Sequence, residues 1–280
     1  MTDLDGWFYA RERGARGEER FFATELTRGP WSNEHQHGGP PAALLIRAIE
    51  QTAPGMFTAR ITVELLRPIP IAAPLEVVTE VLSQGRTVHR IAAALVSGDQ
   101  QLAVAVAVRV RVAELNLPSR TEARAGTPGA VGDESLRPVE QCPSFEFPFF
   151  QHAVGYHTAI EVRLARGEFG TGRVAGWMRP RVALIADEPT RPIERVLICA
   201  DAGHGLGTAL DTREFSFVNP DLTVQLHRLP ASDDDWLGMD AHTFSEPLGF
   251  GACRTQLCDR HGDLGIVLQS QVLAPVHPRR

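Results

Sequence analysis

The chain has 280 residues, of which 43% are hydrophobic and 22% charged, and its formal net charge is −6. This length and apolar content suffice for one large or two ordinary globular domains, and the acidic balance argues against non-specific binding of nucleic acid, since proteins of that class carry a basic excess. We find no apolar stretch of signal-peptide or membrane-spanning length, and we therefore expect a cytoplasmic protein that does not associate with membranes.

The first predicted helix spans 40–53, where apolar residues recur at helical spacing and place Leu44, Leu45 and Ile49 on one side. Four strand-like segments follow it, at 58–67, 75–82, 87–96 and 102–112. The last segment alternates small and branched residues, as a strand packed on one face does. Short turns join consecutive strands, which favours an antiparallel sheet over a parallel α/β arrangement.

The next stretch, 113–148, is rich in proline, glycine and charged residues and lacks apolar periodicity, which is typical of a linker. We accordingly divide the chain into an N-terminal unit, a linker and a C-terminal unit. Their predicted bounds are 1–113, 114–149 and 150–280.

The C-terminal unit repeats the order of the first. Strands are predicted at 156–164 and 173–178, a helix at 192–202, and further strands at 222–228, 236–243, 254–258 and 264–273. The segment 63–68 (VELLRP) resembles 224–229 (VQLHRL) at an offset of 161 residues, which indicates duplication. In each unit a helix would pack on a curved antiparallel sheet, an α+β arrangement, and the two copies can share one continuous sheet.

Several short segments in order carry a family resemblance. They are 31–45 (WSNEHQHGGPPAALL), 63–68 (VELLRP), 83–88 (SQGRTV), 200–202 (ADA), 219–224 (NPDLTV) with His227 and Arg228, and Gln269. Together they resemble bacterial type II (TesB-like) acyl-CoA thioesterases over nearly all of the chain outside the linker. The resemblance implies a double hot-dog fold and an enzyme of fatty acid metabolism. It also implies hydrolysis of acyl-CoA to free acid and CoA by direct water attack, without a covalent intermediate or a cofactor.

The resemblance further implies that an Asp, a Thr or Asn, and a Gln hold the attacking water. In this sequence they are Asp201, Asn219 and Gln269. Gln271, two residues later on the same strand face, is the alternative to Gln269.

Asp201 also stands out from the residues alone. It follows the apolar run 196–200, and an ionised carboxylate is costly to bury unless it is paired or hydrogen-bonded. Asn219 and Gln269 offer amide donors for it. The structural alternative is a local hydrogen bond at a helix end near Gly203.

The sequence His37-Gly38-Gly39 precedes the first helix, which two prolines would start. Free backbone N–H groups of the first turn and the helix dipole can bind a thioester carbonyl oxygen and the oxyanion that forms on it. The alternative is a glycine turn that only lets the chain enter the helix. In related hot-dog thioesterases the glycine amide and the carboxylate come from facing units, which implies that Gly38 faces Asp201 across a composite site.

No acidic residue lies between Gly39 and Glu50 in the first helix, so we expect one active site per chain. His35 and His37 have no further ligand at metal spacing, and no metal is predicted.

Two other functions remain as alternatives. One is a hot-dog enoyl-CoA hydratase or dehydratase, which would use a general acid and base such as Asp201 and His204. The other is a non-catalytic acyl-CoA binding protein. The sequence leaves open the acyl chain length and the oligomeric state, including a homo-oligomer of double hot-dog protomers.

Overall fold

The computed structural model describes residues 6–15, 17–115, 130–131 and 134–276. Its main element is a sheet of twelve described strands whose neighbours are antiparallel, and a separate three-stranded sheet lies beside it. Much of the predicted linker, residues 116–129 and 132–133, lies outside the described residues.

The N-terminal unit contains the predicted helix and the four strands that follow it, together with two strands that precede the helix. Its elements are β1 (Trp7–Arg13), β2 (Glu19–Ala23), α1 (Gly39–Thr52), β3 (Met56–Leu65), β4 (Glu76–Gln84), β5 (Val88–Ser97) and β6 (Gln100–Arg111). Two prolines in the first turn fix φ near the helical value and start α1. The alternation predicted for β6 is confirmed, because Ala103, Ala105 and Ala107 are buried while the residues between them are partly exposed.

The remaining described elements include the second long helix and a set of antiparallel strands. They are β7 (Ala130–Val131), β8 (Glu134–Ser135), β9 (Ser144–Phe145), α2 (Tyr156–Ala159), β10 (Ile160–Arg166), β11 (Arg173–Pro180), β12 (Ala183–Ile185), α3 (Pro192–Ala200), α4 (Gly203–Leu206), β13 (Phe215–Val218), β14 (Asp221–Leu226), β15 (Leu237–Glu246), β16 (Phe250–Asp259) and β17 (Gly262–Pro275).

Two predictions in this unit were wrong in part. The strand predicted at 156–164 begins as the helical turn α2, because the Thr158 hydroxyl donates to the Gly155 carbonyl at 2.7 Å and closes a turn there. The helix predicted at 192–202 ends at Ala200, and a separate turn, α4, follows Asp201.

The two units join through the pairing of β3 with β14. The described strand order is β4-β5-β6-β3-β14-β17-β16-β15-β11-β10-β9, and β13 also pairs with β17. Thr62 lies opposite Thr223, with their hydroxyl oxygens 3.1 Å apart. These residues are separated by 161 positions, the offset of the sequence repeat, so the junction has the two-fold relation expected when a duplicated unit pairs with its copy.

The two units are no longer equivalent at the outer edges of the large sheet. Beyond β15 the sheet continues through β11, β10 and β9, and β9 lies inside the predicted linker. In the N-terminal unit, β1 and β2 instead form the small sheet with β12, which pairs in parallel with β1. The domain bounds 1–113, 114–149 and 150–280 therefore remain predictions.

The helices α1 and α3 pack against each other, and α1 also packs on β3 to β6. Leu44, Leu45 and Ile49 of α1 and Leu197 of α3 are buried within the same core. In the described part of the chain, every helix is too short or too polar to cross a membrane.

Candidate active site

A cavity of about 380 Å³ lies where the two units meet near the C-terminal end of α3. Side chains and backbone from both units line it, among them Trp31, His37, Gly38, Asp201, His204 and Asn219. All of these residues except Trp31 were assigned from the sequence, either to the thioesterase site or to the alternative hydratase reaction. The composite location expected from the resemblance is thus where the structure places them.

Asp201 caps α3 and is only 2% exposed. Its Oδ1 accepts a hydrogen bond from Asn219 Nδ2 at 2.7 Å, and its Oδ2 lies 2.9 Å from His37 Nδ1. Burial alone would raise the pKa of Asp201, but His37 and the Asn219 amide outweigh it and lower that pKa to about 2. The carboxylate is therefore ionised at neutral pH while facing the cavity.

Close packing against the sheet fixes the chain after Asp201. Gly203, the first residue of α4, approaches β16 so closely that a Cβ there would lie 2.3 Å from the Thr255 hydroxyl oxygen. Glycine at this position allows α4 to turn directly behind Asp201.

His37 is held in place by stacking. Its ring lies 3.7 Å from the ring of Tyr156 and parallel to it, and the Tyr156 hydroxyl donates to the Ile198 carbonyl of α3 at 2.7 Å. Because a bare nitrogen lone pair would repel a carboxylate oxygen at 2.9 Å, we assign a proton to Nδ1 of His37, which then donates to Asp201. The Gly39 N–H points at the same nitrogen from 3.2 Å, but the shorter contact with the carboxylate, which can only accept, decides where the proton lies.

The two glycines at the start of α1 have different surroundings. Gly38 lines the cavity, and within the described residues its N–H has no acceptor. Gly39 is buried, and a Cβ on it would lie 2.3 Å from the Ile198 carbonyl oxygen. Two prolines follow and carry no N–H, so among the free donors of this helix end Gly38 is the one that faces the cavity. Gly39 instead allows α1 to approach α3 closely.

Gln269 does not line the cavity. Its Nε2 lies 3.1 Å from the main-chain oxygen of Asp201 and 3.0 Å from Nδ1 of His204. Gln271 lies further along β17, where its side-chain oxygen packs over Gly251; the side-chain oxygens of both glutamines lack a hydrogen-bond partner among the described residues. The geometry thus joins Gln269, and not Gln271, to Asp201.

His204 lines the cavity beside Asp201 and is almost fully buried. Burial lowers its pKa to about 4, and the imidazole is therefore neutral at physiological pH. Because the Gln269 amide donates to Nδ1, the proton of the neutral ring lies on Nε2. The sequence pointed to this residue only through its spacing of three from Asp201.

Sequence reasoning missed the aromatic wall of the cavity. Phe147, Phe149 and Phe150 line it together with Trp31 and Phe217. Trp31 stacks on Phe149, with centroids 5.7 Å apart, and meets the ring of Phe217 at 5.2 Å, edge to face. Phe147 and Phe149 fall in the predicted linker. Four phenylalanines within residues 145–150 were the available signal, since a linker rarely carries so much apolar surface.

A cluster of charged side chains surrounds Arg47 of α1, away from the cavity. Arg47 of α1 is 2% exposed and donates to Glu188 at 2.9 Å and to Glu19 at 2.8 Å.

No group of three or more described His, Cys, Asp or Glu side chains is arranged to hold a metal ion.

Two family models match the chain. The model described as "Acyl-CoA thioesterase N-terminal domain" matches residues 27–112, and the model described as "Acyl-CoA thioesterase C-terminal domain" matches residues 139–273. No curated protein matches.

Solved structures share the fold at low sequence identity. A tesB protein of Mycobacterium avium subspecies paratuberculosis is 20% identical with a TM-score of 0.66, covering 95% of this chain and 96% of its own. An acyl-CoA thioesterase II, TesB2, from Mycobacterium marinum is 16% identical, with the same TM-score and coverage. A protein of unknown function with a hot-dog fold from Alicyclobacillus acidocaldarius is 17% identical, with a TM-score of 0.69 and 94% coverage of both chains. These likenesses confirm the predicted double hot-dog fold.

Proposed function

The chain belongs to the acyl-CoA thioesterase family, and on that premise we propose that Asp201, Asn219 and the Gly38 N–H form the centre at which water cleaves the acyl-CoA thioester. The observation that carries this proposal is the buried, ionised carboxylate of Asp201, which lies beside Gly38 of the other unit in the lining of the cavity. The enzyme is a thioester hydrolase, and the proposal concerns which residues perform the hydrolysis.

The attacking water would be held by Asp201. Each carboxylate oxygen already accepts one hydrogen bond, from Asn219 or from His37, and keeps a further lone pair for a water proton. A pKa of about 2 makes Asp201 a weak base, so its first role is to orient and polarise the water. The water proton passes to the carboxylate only as the new C–O bond forms.

The thioester carbonyl oxygen would lie at the Gly38 N–H. This donor stands at the start of α1, where the helix dipole adds positive potential. As water attacks, negative charge develops on the carbonyl oxygen and the N–H stabilises it in the transition state.

The reaction closes without a covalent enzyme intermediate. The tetrahedral intermediate re-forms the carbonyl, the C–S bond breaks and the electron pair leaves with the CoA sulfur. The proton taken up by Asp201 is returned to that thiolate, so that acyl-CoA and water give free acid and CoA, and the carboxylate is restored.

The surrounding residues hold this arrangement. His37 fixes Oδ2 of Asp201, while Gln269 joins the Asp201 main chain to His204. Gln269 lies behind the cavity wall, and we therefore propose that it positions Asp201 and His204 without touching the water itself.

The first test measures release of free CoA thiol from a panel of acyl-CoAs. Loss of the enoyl thioester absorbance without thiol release would favour the hydratase reaction, for which Asp201 and His204 are close enough. Tight acyl-CoA binding with no turnover would favour a binding protein.

We also propose the compartment in which the enzyme acts and the metabolism to which it belongs. CoA thioesters are made and used inside cells, so we place the enzyme in the cytoplasm and in fatty acid metabolism. A homo-oligomer of double hot-dog protomers remains a prediction.

A further inference from the structure

The cavity has an open side and a closed side. At the open side Leu66 is 51% exposed and Val218 is 46% exposed, and Arg67 is exposed beside them. At the closed side the lining residues Phe149 and Phe217 are 7% and 1% exposed. A thioester held at Gly38 would therefore extend its large, charged CoA part through the open side and its acyl group toward the phenylalanines.

Phe149 is the best-held residue of the closed side. Trp31 stacks on it at 5.7 Å, and Phe217 meets it edge to face at 5.4 Å. Gly205 of α4 supports it from below, where even a Cβ would lie 3.2 Å from the tip of the Phe149 ring. A ring fixed on three sides cannot turn away easily to admit a longer ligand.

More aromatic side chains lie behind this ring. Phe169 packs against Phe149 with centroids 6.4 Å apart and does not line the cavity. Phe145 packs against Phe169 at 5.3 Å and does not line it either. Phe169 and Phe145 thus back the Phe149 ring on the side away from the cavity.

The volume limits what this space can hold. At about 380 Å³ the cavity is near the lower end for small-molecule sites. The thioester and the adjoining part of CoA occupy some of this space, and the acyl group has only the rest.

We infer that Phe149 closes the acyl end of the cavity and selects acyl-CoAs with a short acyl group over those with a long linear chain. This inference rests on the proposed function, because it takes the cavity as the site of the thioester. Phe149 is then the residue that determines the length of the acyl chain.

The test compares kcat/KM for linear acyl-CoAs of increasing length in three proteins: the natural chain, Phe149→Ala and Phe169→Ala. In the natural chain kcat/KM should pass through an optimum and fall at least about tenfold for the longest chains, since a long chain meets the Phe149 ring. Phe149→Ala should move the optimum about two to four carbons upward, because it removes a ring that borders the cavity. Phe169→Ala removes an equal ring from the same cluster, away from the cavity, and should leave the optimum unchanged.

A milder substitution at the same residue keeps the test decisive if Phe149→Ala does not fold. Phe149→Leu keeps most of the packing and should shift the optimum in the same direction by a smaller amount. An unchanged length profile in folded Phe149→Leu and Phe149→Ala, or long chains cleaved by the natural protein as fast as short ones, would overturn the inference while leaving the thioesterase intact. Absence of thiol release from every acyl-CoA would instead overturn the proposed function on which the inference rests.

Discussion

Gly38 and Asp201 belong to different units, yet a Cβ at residue 38 would lie 2.9 Å from Oδ2 of Asp201. The same Cβ would lie 2.9 Å from a methyl carbon of Leu65. Residue 38 therefore has to be small for the carboxylate and the helix end to lie next to each other in the lining of the cavity. The contact also ties the site to the fusion of the units, because neither unit alone holds both groups.

Gly38→Ala should lower kcat by about 100-fold or more, because the added methyl group displaces Asp201 and disturbs the N–H that stabilises the oxyanion. Gly39→Ala provides the contrast. Its Cβ would meet the Ile198 carbonyl at 2.3 Å, so that its main effect should be a lower thermal midpoint. Steady-state kinetics and thermal unfolding of both variants check this, and normal turnover in a folded Gly38→Ala protein would contradict the assignment of Gly38.

Gln269→Ala should reduce kcat by about 5- to 150-fold, the equivalent of about 1–3 kcal/mol for hydrogen bonds lost to Asp201 and His204. Gln271→Ala is the matched control, because it removes an equally buried amide from the same strand face without a link to Asp201. Its kcat should stay within about threefold of the natural value. The reverse order of effects would make Gln271 the functional glutamine.

The buried imidazole of His204 should make stability depend on pH between about 4 and 6.5. Its pKa is about 4 in the folded protein and about 6.5 in an unfolded chain, so the unfolded state binds more protons in this range. The contribution of His204 to the free energy of unfolding should therefore rise with pH across the window, by up to about 3 kcal/mol, and be fully present above it. Glu194 acts in the opposite direction in the same window, because burial raises its pKa to about 7 and its contribution is lost as pH rises, whereas the contribution of Asp201 is lost only below about pH 4.

The measurement is denaturant unfolding at several pH values for the natural chain and for His204→Asn. The free energy of unfolding of the natural chain minus that of the variant should rise with pH between 4.5 and 6.5. Equal slopes in the two proteins would show that His204 is not the group responsible.

The helices and most strands were predictable from local periodicity, whereas the composite site followed from the family resemblance. The repeat at 63–68 and 224–229 indicated duplication, and the isolated carboxylate of Asp201 in an apolar run marked a buried polar group. The pairing of strands that are far apart in the chain left no such signal in the sequence. Neither the small sheet of β1, β2 and β12 nor the turn α2 could be read from periodicity.

The acyl wall was missed for a different reason. Phe149 stands in a proline-containing turn, and the composition of the surrounding stretch concealed how buried the residue becomes. The role of Gln269 was equally invisible, since only the fold shows that it lies behind Asp201 and holds its main-chain oxygen. Both features depend on packing between segments that are far apart in the chain.

Asp201→Asn separates a carboxylate that acts in catalysis from one that only supports the fold, with Asp259→Asn as its control. Asp259 is also fully buried, but it is paired with Arg228 away from the cavity. The folded protein lowers the pKa of both carboxylates, so each contributes to stability at neutral pH, and each variant should lose stability, about 2 kcal/mol for Asp201→Asn. Only the first should lose catalysis. Thiol release by Asp201→Asn should fall by about 10²- to 10⁴-fold while Asp259→Asn stays near the natural rate, and near-natural thiol release by folded Asp201→Asn would contradict the claim that this carboxylate directs the attacking water.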